Sequence, residues 1–375
     1  MFKRLSLLAL IAVSLINYSV AQDNVNTLGQ INIVSTGVPF LMIAPDARAG
    51  AMGDAGVSSS PDIYSMHWNP AKYAFIENDM GIGISYSPWL KNLVPDLNLY
   101  SLNFYKRIDD RQTFAASLLY FSLGDVNFTD IDGYNVGTFR PNEFSFDMAY
   151  ARKLSENFSA SIAGRFIYSA LTQGQAVQGV ETKAGVSIAA DISIYWRKEI
   201  RISRTEAVFA FGVNISNIGS KISYTSDRKE FIPTNLRFGP SLMLELDNYN
   251  SITFMFDVNK LLVPTPNGDA IPDDISVIGG IFKSFTDAPG GFSEEIKELQ
   301  LSFGVEYWYD KQFAIRAGYF YENELKGNRK FFTLGAGLKY NVFGLDFSYL
   351  IPTAQQHPLE STLRFSLLLD FEAFR

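Results

Sequence analysis

The sequence predicts an all-β membrane protein, a fourteen-stranded antiparallel β-barrel plugged by an N-terminal hatch. From about residue 80 onward, apolar residues recur at every second position, which is the period of a strand and not of a helix. Hydrophobic residues make up 47% of the 375-residue chain and charged residues only 19%, which excludes a disordered chain. After residue 21 no apolar run is long enough for a spanning helix, and a closed barrel satisfies its backbone without one.

The alternation is clear in segments such as 143–153 and 184–197. In the first, Phe144, Phe146 and Met148 share one face, while Ser145 and Asp147 share the other. A soluble sandwich with one wet face gives a similar pattern. Tyrosines and tryptophans near the segment ends, and carboxylates and arginines on the second face, favour a barrel with aromatic girdles and a polar lumen.

The strand count is even, as in single-chain bacterial outer-membrane barrels. The predicted strands are 80–89, 97–107, 112–122, 143–153, 157–169, 184–197, 206–217, 234–246, 250–260, 298–309, 312–322, 331–340, 343–350 and 360–373. Counted in chain order, each connection from an odd-numbered to an even-numbered strand is longer than the connections on either side of it. Connections from even-numbered to odd-numbered strands are short, and 198–205 is the one long exception. We expect the short turns to be periplasmic and the long loops extracellular.

The N-terminus predicts export and a segment that fills the barrel. Residues 1–21 read as a signal peptide, with Lys3 and Arg4 before a short apolar run that ends at Ala21. Residues 22–79 do not alternate and are rich in Gly, Pro, Ala and Asp, which indicates a hatch. Residues 80–375 then form the barrel. A fourteen-stranded barrel is about 28 Å wide, more than wall side chains can fill.

The composition argues against chemistry. The chain has no cysteine, two histidines and a net charge of −7, so we expect no metal centre, no cofactor, no enzymatic activity and no nucleic-acid partner. We expect His67 to make a hydrogen bond within the hatch, and Gly50, Gly53 and Gly56 to form tight turns, since a phosphate loop would need a preceding strand. Residues 267–269 are expected to be a solvated turn.

Six charged residues fall on lumenal positions. We expect them mainly to pair with the hatch, although they are also compatible with a substrate path. They are Arg165, Asp191, Asp257, Arg316, Arg364 and Asp370.

Two motifs in the hatch carry a family resemblance. One runs through Gly53-Asp54-Ala55-Gly56 to Trp68-Asn69-Pro70-Ala71 and resembles the N-terminal hatch of FadL-type outer-membrane proteins. The sequence of residues 36–75 resembles more closely the PorV family, also called LptO, of the Bacteroidota type IX secretion system. A PorQ-like relative from the same system is the alternative. The residues that carry the resemblance are Pro45, Asp46, Arg48, Gly50, Gly53, Asp54, Gly56, Trp68, Asn69 and Pro70.

The resemblance implies a secretion component without catalysis. Such a protein binds the C-terminal signal domain of secreted cargo at a large SprA-like translocon and carries the cargo to a PorU-like sortase. It sits among the lipid and lipopolysaccharide of a Gram-negative, Bacteroidota-type outer membrane. The alternative is a FadL-like passive transporter of hydrophobic small molecules. That transporter would need a lateral opening, for which Pro240 is a candidate, although a tolerated bulge explains this proline equally well. A lipid-modifying enzyme lacks a convergent catalytic set.

The long loop 261–297 is the candidate partner-binding surface. Its apolar residues would either fold back over the barrel mouth or meet a partner, and the sequence leaves both open. Loops 123–142 and 218–233 are further candidates for such contacts. The apolar residues are Leu261, Leu262, Val263, Ile278, Ile281 and Phe282.

Overall fold

The computed structural model describes residues 32–90, 96–129, 132, 134–172, 174, 181–226, 228–266, 274–353 and 362–371. The predicted signal peptide, the first hatch residues and the expected turn at 267–269 lie outside these ranges.

Fourteen antiparallel strands close into one barrel, which confirms the predicted fold class. Each barrel strand pairs with the next barrel strand along the chain, and the first strand pairs with the last to close the ring. The barrel strands are β1 Met80–Pro88, β2 Asn98–Asp109, β3 Gln112–Ser122, β6 Asn142–Ser155, β7 Phe158–Ala170, β8 Gly185–Ile202, β9 Thr205–Gly219, β10 Asn235–Glu245, β11 Asn250–Leu261, β12 Gln300–Tyr309, β13 Phe313–Tyr321, β14 Lys330–Tyr340, β15 Phe343–Pro352 and β16 Leu363–Phe371.

The two ends of the barrel differ in connection length. At one end, the turn end, connections have two to four residues: 110–111, 156–157, 203–204, 246–249, 310–312 and 341–342. At the other, the loop end, they are 89–97, 123–141, 171–184, 220–234, 262–299, 322–329 and 353–362. The expected exception at 198–205 was wrong. There β8 and β9 extend to a two-residue turn in which Ser203 has a φ of 57°.

The two faces of the wall follow the alternation. In β6, Phe146 and Met148 are exposed on the outside while Ser145 and Asp147 are buried inside. At the loop end, the outward rings of Tyr86, Tyr100 and Tyr120 form a chain of contacts, with centroids 5.3 Å and 6.3 Å apart. Aromatic girdles of this kind mark the interface of a membrane barrel.

Residues 32–79, which we call the plug, fill the lumen. Their short helices are η1 Pro39–Met42, α1 Ala47–Gly50, α2 Ser65–Trp68 and η2 Pro70–Phe75. Toward the loop end, Phe40 and Leu41 pack on Leu99 and Ile167 of the wall. Farther along, Tyr64 and Tyr73 pack in a cluster with Tyr105 of β2. The plug is therefore part of the core and not an appended tail.

The loops at the loop end carry structure of their own. Loop 123–141 contains a hairpin of β4 Val126–Thr129 and β5 Asn135–Phe139, which the sequence analysis did not predict. Loop 262–299, which we call the cap, contains helices α3 Val277–Lys283 and α4 Phe292–Lys297. Among the described residues, no helix combines the length and apolarity needed to cross a membrane.

Candidate partner-binding surface and the plug beneath it

Asp46 joins the two halves of the hatch motif. It is the N-cap of α1, where its Oδ2 accepts a hydrogen bond from Ala49 N at 2.8 Å. Its Oδ1 accepts a second bond from Trp68 Nε1 at 2.6 Å. Pro45, before it, is buried. One carboxylate thus fixes a helix start and an indole that lies 22 residues away in the chain, which explains why the two motifs occur together.

Arg48 ties the plug to the wall. Its Nε and Nη2 donate to the two oxygens of Glu306 at 2.9 Å and 2.7 Å. Its Nη1 donates to Asp62 at 2.8 Å. Glu306 also accepts from Arg316, whose Nη1 reaches Asp346 at 2.5 Å. The bidentate hydrogen bonds of the buried Arg48 guanidinium make this network costly to break, because loss of one partner leaves the other as an unpaired buried charge.

The glycines of the motif allow close approach. Gly53 has a φ of +67°, and an added Cβ would lie 2.7 Å from the Tyr319 backbone. Its amide donates to Thr333 Oγ1 at 2.8 Å. At Gly56, an added Cβ would lie 2.6 Å from the Trp68 ring. At Gly50, an added Cβ would meet the Arg364 side chain. Only Gly53 forms a left-handed turn; the other two are sites of tight packing.

Asn69 and Pro70 anchor the opposite side of the plug. Asn69 Nδ2 donates to Val57 O and to Ile194 O of β8, both at 2.9 Å. Its Oδ1 caps η2, which begins at Pro70, through Ala71 N at 3.0 Å. β8 lies six strands around the ring from β14, where Thr333 holds Gly53. The plug is therefore held across the whole width of the lumen.

The lumenal charges divide into two groups. Asp257 accepts from the amides of Gly56 and Val57 at 2.7 Å and 2.8 Å. Arg364 approaches Gly50 O at 3.4 Å and Asp54 at 3.6 Å. Arg316 reaches the plug only through Glu306, as described above. The other three pair within the wall, contrary to expectation, because strand neighbours bring partners nearer than the plug does. Arg165 binds Asp147 and Asp191, and Asp370 binds Tyr105 and Lys339.

His67 is buried beside Trp68. The rings meet edge to face, with centroids 4.7 Å apart. The sequence analysis expected the imidazole of His67 to make a hydrogen bond; the contact that the structure gives this ring is aromatic. A space of about 20 Å³ beside His67 is large enough for a single water molecule.

A second, larger cavity lies at the loop end and is lined by both charged and apolar side chains. It measures about 280 Å³, and its lining includes Glu298, Glu322, Lys326 and Arg329. Arg329 and Glu322 form a two-armed ion pair with both contacts at 2.8 Å. An apolar ligand would contact the apolar part of this lining but would also displace water from the charged groups, which opposes its binding.

Pro240 does not open the wall. β10 pairs with β9 at Pro240, and its register with β11 is the same on both sides of this residue. The bonds to β11 are interrupted only at Gly239 and Pro240. The proline is therefore tolerated without a bulge, and the lateral opening expected of a transporter is not formed here.

Buried ion pairs hold the cap in place. Lys260 Nζ donates to Glu295 at 2.9 Å and to Glu298 at 2.6 Å. From the neighbouring loop, Lys326 donates to Glu294 at 2.6 Å and to Glu298 at 3.0 Å. Lys260 lies an even number of residues from the exposed Phe254 in β11 and therefore points outward, yet it is buried. The cap thus covers the outer edge of the wall at this point.

The predicted apolar residues of this loop separate into buried and exposed sets. Leu262 and Val263 are buried at the base of the cap. They therefore stabilise the cap and are not part of its contact surface. Leu261 and Ile281 are half-buried. Ile278 and Phe282 are 58% and 72% exposed.

Three exposed residues of the cap were missed by the sequence analysis. Phe285 follows α3, and Phe292 and Ile296 belong to α4; Phe292 is 79% exposed. Ile278 and Phe282 are four apart on α3, as are Phe292 and Ile296 on α4, so each pair shares a helix face. That spacing was the available signal. We call Ile278, Phe282, Phe285, Phe292 and Ile296 the apolar cap face.

Asp287 is a half-buried carboxylate in the segment between α3 and α4. It accepts from Thr265 N at 3.2 Å, and its Oδ1 has no partner. Partial burial, together with the nearby charge of Glu295, raises the pKa of Asp287 to about 6. Ionisation of Asp287 is therefore disfavoured in the folded cap.

The fold and the site together define a class of protein: a plugged membrane β-barrel that presents a structured cap at one rim. Solved structures of similar fold include the CymD monoaromatic hydrocarbon channel, at 12% identity and a TM-score of 0.50, with 91% of this chain and 100% of that chain covered. The Pseudomonas putida toluene transporter TodX matches at 10% identity and a TM-score of 0.50, over 90% of this chain and 98% of that chain. A Pseudomonas aeruginosa FadL homologue matches at 11% identity and a TM-score of 0.46, over 91% and 100%.

A family model narrows the class. The model described as type IX secretion system protein PorV matches residues 26–268, and no curated protein matches the chain. The chain belongs to the PorV family and is an outer-membrane β-barrel of the type IX secretion machinery.

Proposed function

We propose that this barrel captures secreted cargo by its C-terminal signal domain at a large SprA-like translocon and delivers it to a PorU-like sortase, with no chemistry of its own. In this proposal, residues 1–21 direct export and residues 22–79 form a fixed hatch. The loop end faces the cell exterior and the short turns face the periplasm of a Bacteroidota-type cell. The support comes from the family and from the cap.

The apolar cap face is the observation that carries the proposal. Its aromatic side chains stay exposed although buried ion pairs of Lys260 and Lys326 hold α4, one of its two helices, in place. Ordered aromatic residues on a rigid base are typical of binding hot spots, because little conformational entropy is lost when a partner binds. Their place at the loop end is where cargo would emerge under the proposed orientation.

The test is cargo capture by a double variant, F282S/F292S. We expect co-purification of C-terminal-domain proteins from native outer membranes to fall at least about tenfold, since two hot-spot side chains are lost. The thermal unfolding midpoint should hardly move, because both side chains are exposed. The matched control is Y249S, which removes a 60% exposed ring at the turn end. Undiminished capture by the folded double variant would refute the role of this face.

Passive transport of hydrophobic molecules is the alternative, and the described residues support it less. The plug is bonded to opposite walls, the cavity at the loop end carries charged side chains in its lining, and the ladder continues past Pro240. Uptake of toluene into vesicles that contain the purified barrel tests it. Uptake above that of empty vesicles would require the plug to move and would favour transport.

A further inference from the structure

The outward face of the barrel wall carries charges of one sign. In the described barrel strands, taken over their full length, every charged side chain that points outward is a cation. These residues are Lys106, Arg152, Lys198, Lys260 and Lys330. Charges on the lipid side of a barrel are unfavourable at depth, so outward cations are best placed where their charge can reach an anion.

Two of these cations have carboxylate partners within the protein. Lys260 pairs with the cap, and Lys330 donates to Glu324 at 2.6 Å. Lys106, Arg152 and Lys198 form no ion pair with any described residue. Arg152 interacts electrostatically with Asp109, the final residue of β2, but the oxygens of Asp109 accept from Arg111 N at 2.8 Å and Gln112 Nε2 at 2.5 Å.

The three cations without ion pairs share one level of the barrel. Lys106 comes four residues before the turn at 110–111, Arg152 four before 156–157, and Lys198 five before 203–204. They lie on β2, β6 and β8, which alternate with β3 and β7 around one sector. Elsewhere around the ring, outward residues near this level are apolar, for example Leu242 in β10 and Leu338 in β14.

Apolar side chains flank each cation on the same outward face. Lys106 lies between Phe104 and Ile108, which is 59% exposed, and Arg152 lies between Tyr150 and Leu154, which is 61% exposed. Lys198 follows Trp196 in the same way. Long cationic side chains on an apolar strip lay their stems along the surface and place the charge at the headgroup level. The anion available at that level of a leaflet is a lipid phosphate.

We propose that Lys106, Arg152 and Lys198 form a binding strip for anionic phospholipid in the leaflet at the turn end. The lipid phosphates meet the three cations, and the acyl chains lie along the apolar residues above them. The strip gives the barrel a preferred lipid side, in the sector from β2 to β8. It is independent of the cap and of cargo binding.

Lipid exchange measures this directly. The full-length barrel is reconstituted in phosphatidylcholine vesicles with increasing phosphatidylglycerol, and brominated chains on either lipid report contact by quenching the outward Trp196. Wild-type protein should favour the anionic lipid. Each single variant K106Q, R152Q or K198Q should lower that preference about fivefold, the contribution expected of one interfacial cation. The triple variant should show none.

Two controls keep the result interpretable. K330Q removes an outward cation at the opposite end and should leave the preference unchanged, whereas R152K keeps the charge and should retain most of it. A triple variant that still favours phosphatidylglycerol would overturn the proposal, as would an equal loss in K330Q. If the triple variant does not fold, the three single variants decide, since unchanged preference in all of them also overturns it.

Discussion

The plug and the cap handle polar and apolar groups in opposite ways. In the plug, Asp46, Arg48 and Asn69 are buried with several partners each. In the cap, buried charges lie at the base while Phe282 and Phe292 face outward. A segment whose buried carboxylate, guanidinium and amide groups each bind several partners is held in place, whereas a surface that keeps aromatic side chains exposed is suited to meet a partner.

The largest effect should come from breaking the plug anchor. R48M leaves Glu306 and Asp62 without their shared guanidinium in a buried site, and we expect a loss of about 3–5 kcal/mol of stability. Denaturant unfolding, followed by the heat-modifiable gel shift of the barrel, measures it. The matched control is R140M, which breaks an exposed ion pair with Asp125 and should have no measurable effect. An R48M barrel as stable as wild type would mean that the plug is not held by this network.

A close second is the turn at Gly53. G53A forces a side chain into a left-handed backbone that lies 2.7 Å from the Tyr319 backbone, and we expect a cost of about 2–3 kcal/mol. The control G164A adds a methyl group where nothing lies within 4 Å. Equal unfolding midpoints for the two variants would contradict the tight seat of the plug.

Loosening the cap should have a moderate and local effect. K260M leaves Glu295 without its lysine and leaves Glu298 with only Lys326, so we expect hydrogen exchange across 277–297 to accelerate at least about tenfold while the barrel midpoint changes little. Cargo capture should fall in parallel under the proposed function. The control K330M breaks the exposed pair with Glu324 and should leave exchange in the cap unchanged.

The smallest effect should be a pH response of the cap. Because the folded pKa of Asp287 lies at about 6, above its ordinary 3.8, protonation favours the folded cap, and that stability is lost as the pH rises through about 6. Exchange across 277–297, corrected for intrinsic rates, should therefore slow between about pH 7.5 and about pH 5. Glu294, with a lowered pKa, opposes this only at more acidic pH. In D287N the response should disappear; a persistent response would assign it elsewhere.

The wall was predictable because its signal is local. The strand expected at 143–153 is Asn142–Ser155, and 112–122 is Gln112–Ser122, since alternation and turn spacing specify a hairpin without any distant partner. The cap was predicted only in part. Its apolar residues were visible, but which of them lie outside depends on the ion pairs of Lys260 and Lys326, and these partners are 28 to 38 residues away in the chain.

The sequence by itself determined the strand number, the two unequal ends, the polarity of the two faces and the motif that marks the family. Only the tertiary structure decided which lumenal charges hold the plug: Asp257 and Arg364 do so, and Arg165 and Asp370 do not. The physical reason is range. Alternation is set by neighbours two residues apart, whereas a buried charge pairs with whichever partner closure of the barrel brings within about 3 Å.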